Sequence, residues 1–213
     1  SAAQMNVLEF HTWNATTDAM DRPDRMTFDL DPGEGVAWAQ VQEAAQLMQV
    51  ALTELGLAAF LKTSGGKGLH VVVPLRRKEG WATVKGFSQA VVQHMARTLP
   101  DRFVAKSGPR NRVGRIFIDY LRNGFGATTA CAWTVRARPG LGVSVPVAWD
   151  ELGALTGGLA ALVSRLSVVH HALLLYGHYR AVLDAGDTVV YSVPSWNNDY
   201  YTEIIGAKAI EVE

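Results

Sequence analysis

The sequence predicts an α/β fold built on a mixed β-sheet with flanking helices, followed by a smaller C-terminal α/β appendage. Three observations carry this. Short segments with period-two alternation recur between turn residues, and two longer segments carry apolar residues at the helical 3–4 spacing. The composition, 48% hydrophobic and 19% charged over 213 residues, is that of a chain that buries a core rather than a disordered one.

The elements follow in order. Val7 to His11 reads as a short strand, and the turn-rich stretch after it ends at Asp24. Met26 to Asp31 alternates apolar and polar and stops at Pro32-Gly33. A helix is expected from about Val36 to Leu55, with Val41, Ala44, Ala45, Met48, Leu52 and Leu55 on one face and Gly56 closing it. Ala59–Lys62 and Leu69–Val73 read as strands around the tight loop Ser64-Gly65-Gly66-Lys67-Gly68. A second amphipathic helix spans about Ala82 to Leu99, its apolar face formed by Val84, Phe87, Val91, Met95 and Leu99. Arg102–Val104, Gly114–Leu121 and Ala132–Arg138 are expected as strands, the last followed by the loop Pro139–Gly142. Residues 1–157 form the principal unit and 158–213 the appendage. No internal repeat or low-complexity tract is present.

Charge narrows the function. Twenty basic and twenty acidic side chains cancel, yet residues 61–138 hold fifteen basic and three acidic ones, a local charge of +12. A surface drawn from that segment attracts polyanions by releasing condensed counterions; a scattered, solvated basic surface is the ordinary alternative. A single cysteine, Cys131, excludes a disulfide framework and a cysteine-based zinc site, and fits a reducing, cytoplasmic setting. Apolar runs are broken by charge, as at Arg165, so no membrane partner is expected, and no secretory leader opens the chain. The first methionine is Met5, which suggests a processed or excised piece.

Two constellations carry chemistry. Asp29 and Asp31, at i and i+2 of a strand, project from one face, while Phe28 and Leu30 take the other. Asp119 lies inside the apolar run Ile116–Leu121, where a lone carboxylate is costly without a cation. Three strand-borne carboxylates can hold the two metals of in-line phosphoryl transfer; taken singly, an Asp-x-Asp pair before Pro-Gly often ends a strand as solvated turn residues. The Ser64–Gly68 loop, with Lys67 and His70, offers backbone N–H groups, an ammonium and an imidazole to an anion. It is not a Walker A loop, because Lys67 precedes Gly68 and leads into a strand; a glycine-rich hairpin with an incidental lysine is the plainer reading. Arg136 and Arg138, again i and i+2 of an expected strand, would share a face and suit a triphosphate, with Arg122 able to join them. His11 alone most often marks a structural histidine.

Five segments together resemble the polymerase domain of bacterial DNA ligase D, within the archaeo-eukaryotic primase superfamily. They are Leu8–Trp13, Met26–Pro32, Lys62–His70, Ile118–Asn123 and Ala137–Pro139, in matching order across residues 5–157. The resemblance implies templated and terminal nucleotidyl transfer to DNA ends during non-homologous end joining, using dNTPs or rNTPs. It makes Asp29, Asp31 and Asp119 the ligands of Mg²⁺ or Mn²⁺. It assigns the nucleotide phosphates to Ser64, Lys67, His70, Arg136 and Arg138, with His11 and Arg122 nearby. It also implies a bacterial, nucleoid-associated setting and DNA ends with a 5′-phosphate as partners. Members carry a further N-terminal segment that helps to bind the nucleotide and that phosphate, and the sequence is expected to lack it. The K-x-D-G lysine signature of the ligase module is absent, so nick sealing is not expected. A non-catalytic nucleic-acid-binding remnant, or a structural protein born of a fusion, are the alternatives.

The tail differs. Residues 173–213, with Ala185–Tyr191 and Val193–Asn198, resemble a fragment of a fold-type I PLP aminotransferase. The tail's only lysine, Lys208, lies outside any matching motif, so no PLP is expected. Residues 159–183 are apolar and helix-prone; the expectation is that they cover an apolar sheet face or drive self-association.

Overall fold

The computed structural model describes residues 7, 9–155 and 157, together with the backbone of two strands at 188–192 and 208–212. Its centre is a six-stranded sheet in the order β5-β6-β2-β4-β3-β8. These strands are β2 (Arg25–Pro32), β3 (Phe60–Thr63), β4 (Leu69–Pro74), β5 (Phe103–Val104), β6 (Ile116–Asp119) and β8 (Pro146–Val147). Neighbours are antiparallel except β5 and β6, which makes the sheet mixed as expected. A two-stranded antiparallel ribbon of β1 (His11–Thr12) and β7 (Thr129–Ala130) stands apart.

Strand alternation divides the sheet into two unlike faces. Met26, Phe28 and Leu30 of β2 pair in register with Val73, Val71 and Leu69 of β4, and Ile118 of β6 sits opposite Leu30. All are buried against α1 (Trp38–Glu54) and α2 (Trp81–Thr98). Helix α1 contributes Val41, Ala44, Ala45, Met48 and Leu52 and α2 contributes Val84, Val91 and Met95, as their spacing predicts, whereas Leu55 and Phe87, expected on the same faces, are exposed. The Gln40 side chain accepts the Ala37 N–H at the start of α1, and Leu57 N–H returns to the Leu52 carbonyl at its end. The apolar face therefore has its cover within the described residues. Beyond β8, the 3₁₀ turn Trp149–Ala154 is laced to α1: Trp38 Nε1 donates to the Leu155 carbonyl at 2.6 Å and Gln42 Nε2 to the Leu152 carbonyl at 2.7 Å. No helix among the described residues is long and apolar enough to cross a membrane.

One expected strand is not formed. Ala132–Arg138 holds a single bridge, Val135 to Val143, rather than a ladder. Trp133 has φ of 71°, outside the extended region, and the chain turns back between Arg136, whose N–H reaches the Gly142 carbonyl, and Leu141. The aromatic and β-branched run Trp133-Thr134-Val135 favours extension, but hydrogen bonds to Gly142 and Ser144 set a twisted loop instead. Alternation along a strand therefore does not explain how Arg136 and Arg138 come together. The strand expected over Val7–His11 meets the two-residue β1 only at His11, and the one expected around Asp119 is four residues long. In the tail, β9 (Thr188–Ser192) and β10 (Lys208–Val212) pair in parallel. The proposed 159–183 helix lies outside the described residues.

Candidate active site

The second face of the sheet is polar. Asp119 on β6, Asp29 on β2, His70 on β4 and Lys62 on β3 are successive register partners, a row across four strands. Partners in an antiparallel ladder place their side chains side by side on one face. Asp31, two residues along from Asp29, joins the same face.

Each carboxylate has a basic neighbour. Arg122 Nε lies 3.1 Å from Asp119 Oδ2, Arg112 Nη1 lies 3.0 Å from Asp31 Oδ2, and His70 Nε2 lies 3.4 Å from Asp29 Oδ1. Leu121 N–H also donates to Asp119 Oδ1 at 2.8 Å. Burial pushes Asp119 above the ordinary aspartate range, against the Leu121 amide and Arg122. Burial raises Asp31 likewise, reinforced by the nearby Asp29 charge and opposed by Arg112. At Asp29 burial also acts upward, but His70, Lys62 and Arg122 outweigh it and hold the group low. Burial pulls the Lys62 ammonium down to about 8 despite the attraction of Asp29. That amine donates to the Ala130 carbonyl at 2.9 Å and to Ser144 Oγ at 2.8 Å, which fixes it beneath the loop.

A cavity of about 1090 Å³ opens over this face, just above the range of ~300–1,000 Å³ usual for small-molecule sites. Its lining includes His11, Asp29, Asp31, Ser64, Lys67, His70, Arg122, Arg136 and Arg138. Asp119 is not on the wall itself; it stands behind it, paired with Asp29. Five cationic side chains (Lys67, Arg112, Arg122, Arg136, Arg138) face three carboxylates (Asp29, Asp31, Glu34) around the wall. That excess suits a polyanionic ligand.

Close packing brings the distant arginines in. Gly33 lies where any side chain would overlap the Arg112 carbonyl, so the 3₁₀ turn Pro109–Arg112 can cross the end of β2 and set Arg112 on Asp31. Gly65 has φ of 67°, and a Cβ there would come within 2.5 Å of Arg136 Cγ. In the glycine loop, the amides of Gly66 and Gly68 donate to Ser64 Oγ at 3.1 and 3.2 Å. The serine hydroxyl thus shapes the loop, and these two amides are engaged. Arg136 is buried; its Nε donates to Glu9 Oε1 at 2.8 Å and its Nη1 to the Ser64 carbonyl at 2.6 Å. Glu9 also accepts from His11 Nε2 at 2.6 Å and from the Ala137 amide at 2.8 Å. The His11 hydrogen bond, then the Ala137 amide and Arg136, hold Glu9 at about 2 against its partial burial.

Sequence reasoning left four contributors out. Arg112 was inside a turn whose only signal was its place in the basic segment. Glu9 and Lys62 read as ordinary strand residues. Asn123 is fully buried and acts as a surrogate strand residue past the end of β6. Its Oδ1 accepts the Thr27 amide at 2.8 Å and its Nδ2 donates to the Thr27 carbonyl at 2.9 Å. That clamp fixes the turn Leu121–Asn123, which carries Arg122.

Comparison with known proteins identifies the family. The chain is 59% identical over 156 residues to the multifunctional non-homologous end joining protein LigD of Pseudomonas aeruginosa, covering 73% of this chain and 19% of that protein. It is 33% identical over 152 residues to LigD of Mycolicibacterium smegmatis, covering 70% of this chain and 20% of that one. The chain thus spans about a fifth of these relatives. The solved polymerase domain of Mycobacterium tuberculosis ligase D, in complex with DNA, superposes with a TM-score of 0.69 at 30% identity. That match covers 77% of this chain and 61% of the solved one. Residues 1–168 match the family described as the LigD primase-polymerase domain, and the chain belongs to that family.

Proposed function

We propose that the chain is a metal-dependent nucleotidyltransferase module that adds dNTPs or rNTPs to DNA ends in non-homologous end joining. The observation that carries the reading is the register pairing of Asp29 with Asp119, with Asp31 on the same face, under an arginine-rimmed cavity. The family supports the reaction class, and the DNA-bound relative supports DNA as partner.

The residues suit Mg²⁺ or Mn²⁺ in kind. Carboxylate oxygens on neighbouring strands are the hard donors such ions take. Two carboxyl groups raised by burial, and each also by a neighbouring carboxylate, are relieved by a cation. Buried His70 Nδ1 has no hydrogen-bond partner among the described residues, a defect that a bound group would repair. Arg112 and Arg122 serve as counter-charges in this arrangement, and among the described residues no three acidic, histidine or cysteine side chains are assembled as a ligand set. Asp29, Asp31 and Asp119 would hold the ions once those arginines turn to the substrate. When bound, such ions activate a 3′-hydroxyl and offset charge on the leaving pyrophosphate. The protein's own part is electrostatic and positional. Lys67, Arg122 and Arg138 supply cations to the triphosphate, while Arg136 ties the Ser64 loop to Glu9.

The test is primer extension by this chain on a 5′-phosphorylated DNA end with Mn²⁺ and labelled nucleotide. Extension is expected. Salt-sensitive DNA binding without extension would instead identify a non-catalytic nucleic-acid-binding remnant.

A further inference from the structure

Beside the cavity, a second surface has no part in the chemistry above. Phe125 is 68% exposed, yet its ring is fixed: it meets Trp13 edge-on at 5.2 Å between centroids and Trp81 at 6.0 Å. Trp13 and Trp81 meet each other at 6.4 Å and 88°, and Trp81 Nε1 is tied to the Met20 carbonyl at 2.9 Å. A braced aromatic ring has already lost its rotamer freedom, so stacking on it costs little entropy. Lys85, one helical turn after Trp81, is exposed, and its ammonium makes no hydrogen bond or ion pair among the described residues. Its ammonium sits where a Cβ on Gly124 would be 3.4 Å away, next to Phe125. Three residues before Phe125, Arg122 lines the cavity and contacts Asp119.

We propose that Phe125, braced by Trp13 and Trp81, is a stacking platform for one unpaired base of a DNA strand, with Lys85 on an adjoining phosphate. The proposal rests on the polymerase reading and adds a strand-binding subsite to it. An exposed, rigid ring flanked by a free cation is the pairing that sequence-tolerant single-strand binding uses. A protein partner would find only a small apolar patch beside the Lys85 ammonium. A nucleic-acid strand finds both its base and its phosphate matched. Continuity through Arg122 leads such a strand toward the carboxylates. The platform thus selects tailed over blunt ends.

The probe is a duplex with a short 3′ tail carrying 2-aminopurine, titrated with the full chain. Stacking is expected to quench the tail. Phe125→Leu should abolish the quench and weaken tailed-duplex binding about tenfold, with blunt-duplex binding unchanged and Phe125→Trp restoring both. Lys85→Ala should flatten the dependence of log affinity on log salt by about 0.7, one single-strand phosphate contact. Circular dichroism melts confirm that each variant is folded. Phe125→Leu binding the tail as tightly as the parent would overturn the subsite while leaving the polymerase reading intact. A parent chain that binds no DNA would remove both. Concentration-dependent dimerisation lost in Phe125→Leu would show the patch to be a self-association surface and defeat the proposal.

Discussion

The two faces of the six-stranded sheet are made by the same strands, residue by alternate residue, and do opposite things. On one, Phe28 and Leu30 are wholly buried beneath two helices. On the other, Asp29 and Asp31 sit near Asp119 with part of their charge unrelieved, each leaning on a basic neighbour. The helix-covered face stabilises the fold and tolerates no polar atom without a partner. The open face stores electrostatic conflict that the first makes affordable. Stability and chemistry are therefore separable at one-residue spacing.

That separation is sharpest in Asp31→Asn. It keeps the shape and removes a charge that both burial and Asp29 disfavour. Primer extension with Mn²⁺ should be abolished, while DNA binding at low salt persists. Stability should not fall. The sign follows from the raised group: the folded state holds its proton to higher pH than the unfolded one does. Folding is then favoured at low pH, and this contribution is lost as pH rises from the ordinary aspartate value through the raised one. Melting of the parent in chelator should weaken across that window, and of Asp31→Asn less so. A marked drop in melting temperature at neutral pH would show that the Arg112 pair outweighs the repulsion.

Phe28→Ala is the mirror experiment one residue earlier than Asp29. A fully buried aromatic removed from a core costs about 3–5 kcal/mol. Thermal unfolding should shift down by roughly 6–20 °C in a domain of this size. Activity per folded molecule, measured well below the transition, should change little. A loss of activity without a loss of stability would break the comparison.

Asn123→Ala tests the seam between the faces. The buried amide satisfies both backbone groups of Thr27, and each orphaned group costs about 1–3 kcal/mol. Unlike Phe28→Ala, this change should also reduce extension, because the same turn carries Arg122 to Asp119. Equal activity per folded molecule would show that Arg122 is held by Asp119 alone.

The division between faces was readable wherever side-chain direction follows from local repeat. Alternation in Met26–Asp31 and the polar interruption of Ile116–Leu121 locate Asp29, Asp31 and Asp119, and the helical spacing locates the buried stripes of α1 and α2. Where placement depends on long-range contact, local pattern is silent. Arg112 reaches Asp31 only because Gly33 lets another turn cross β2. Trp133-Thr134-Val135 has strand chemistry but lacks a partner strand, so it closes into a loop. Arg138 lines the cavity from that loop, so its place there owes nothing to strand alternation.

Glu9 makes the smallest and most diagnostic case, since it belongs to neither face and ties the loop segments above them. One oxygen takes both His11 and Arg136, the other the Ala137 amide, one residue before Arg138. It touches no reacting group; it is a positioning residue for two cations of the cavity wall. Glu9→Gln keeps the size and one acceptor oxygen but loses the charge. We expect a cost of about 1 kcal/mol, since the carboxylate is partly exposed and its ion pair is screened. Because its folded value, about 2, lies below the ordinary 4.5, Glu9 adds stability that is complete above pH 4.5 and lost as pH falls toward 2. The variant should therefore lose less stability than the parent across that interval. In kinetics, nucleotide KM should rise several-fold with kcat nearly unchanged, because on the proposed reading Glu9 and Arg136 hold the loop from which Arg138 meets the triphosphate without reacting. Chemical-denaturation titrations from pH 2.5 to 6, paired with nucleotide saturation curves at pH 7.5, give both readouts. A fall in kcat at constant KM would place Glu9 among the groups that act on the transition state and end its description as a tether.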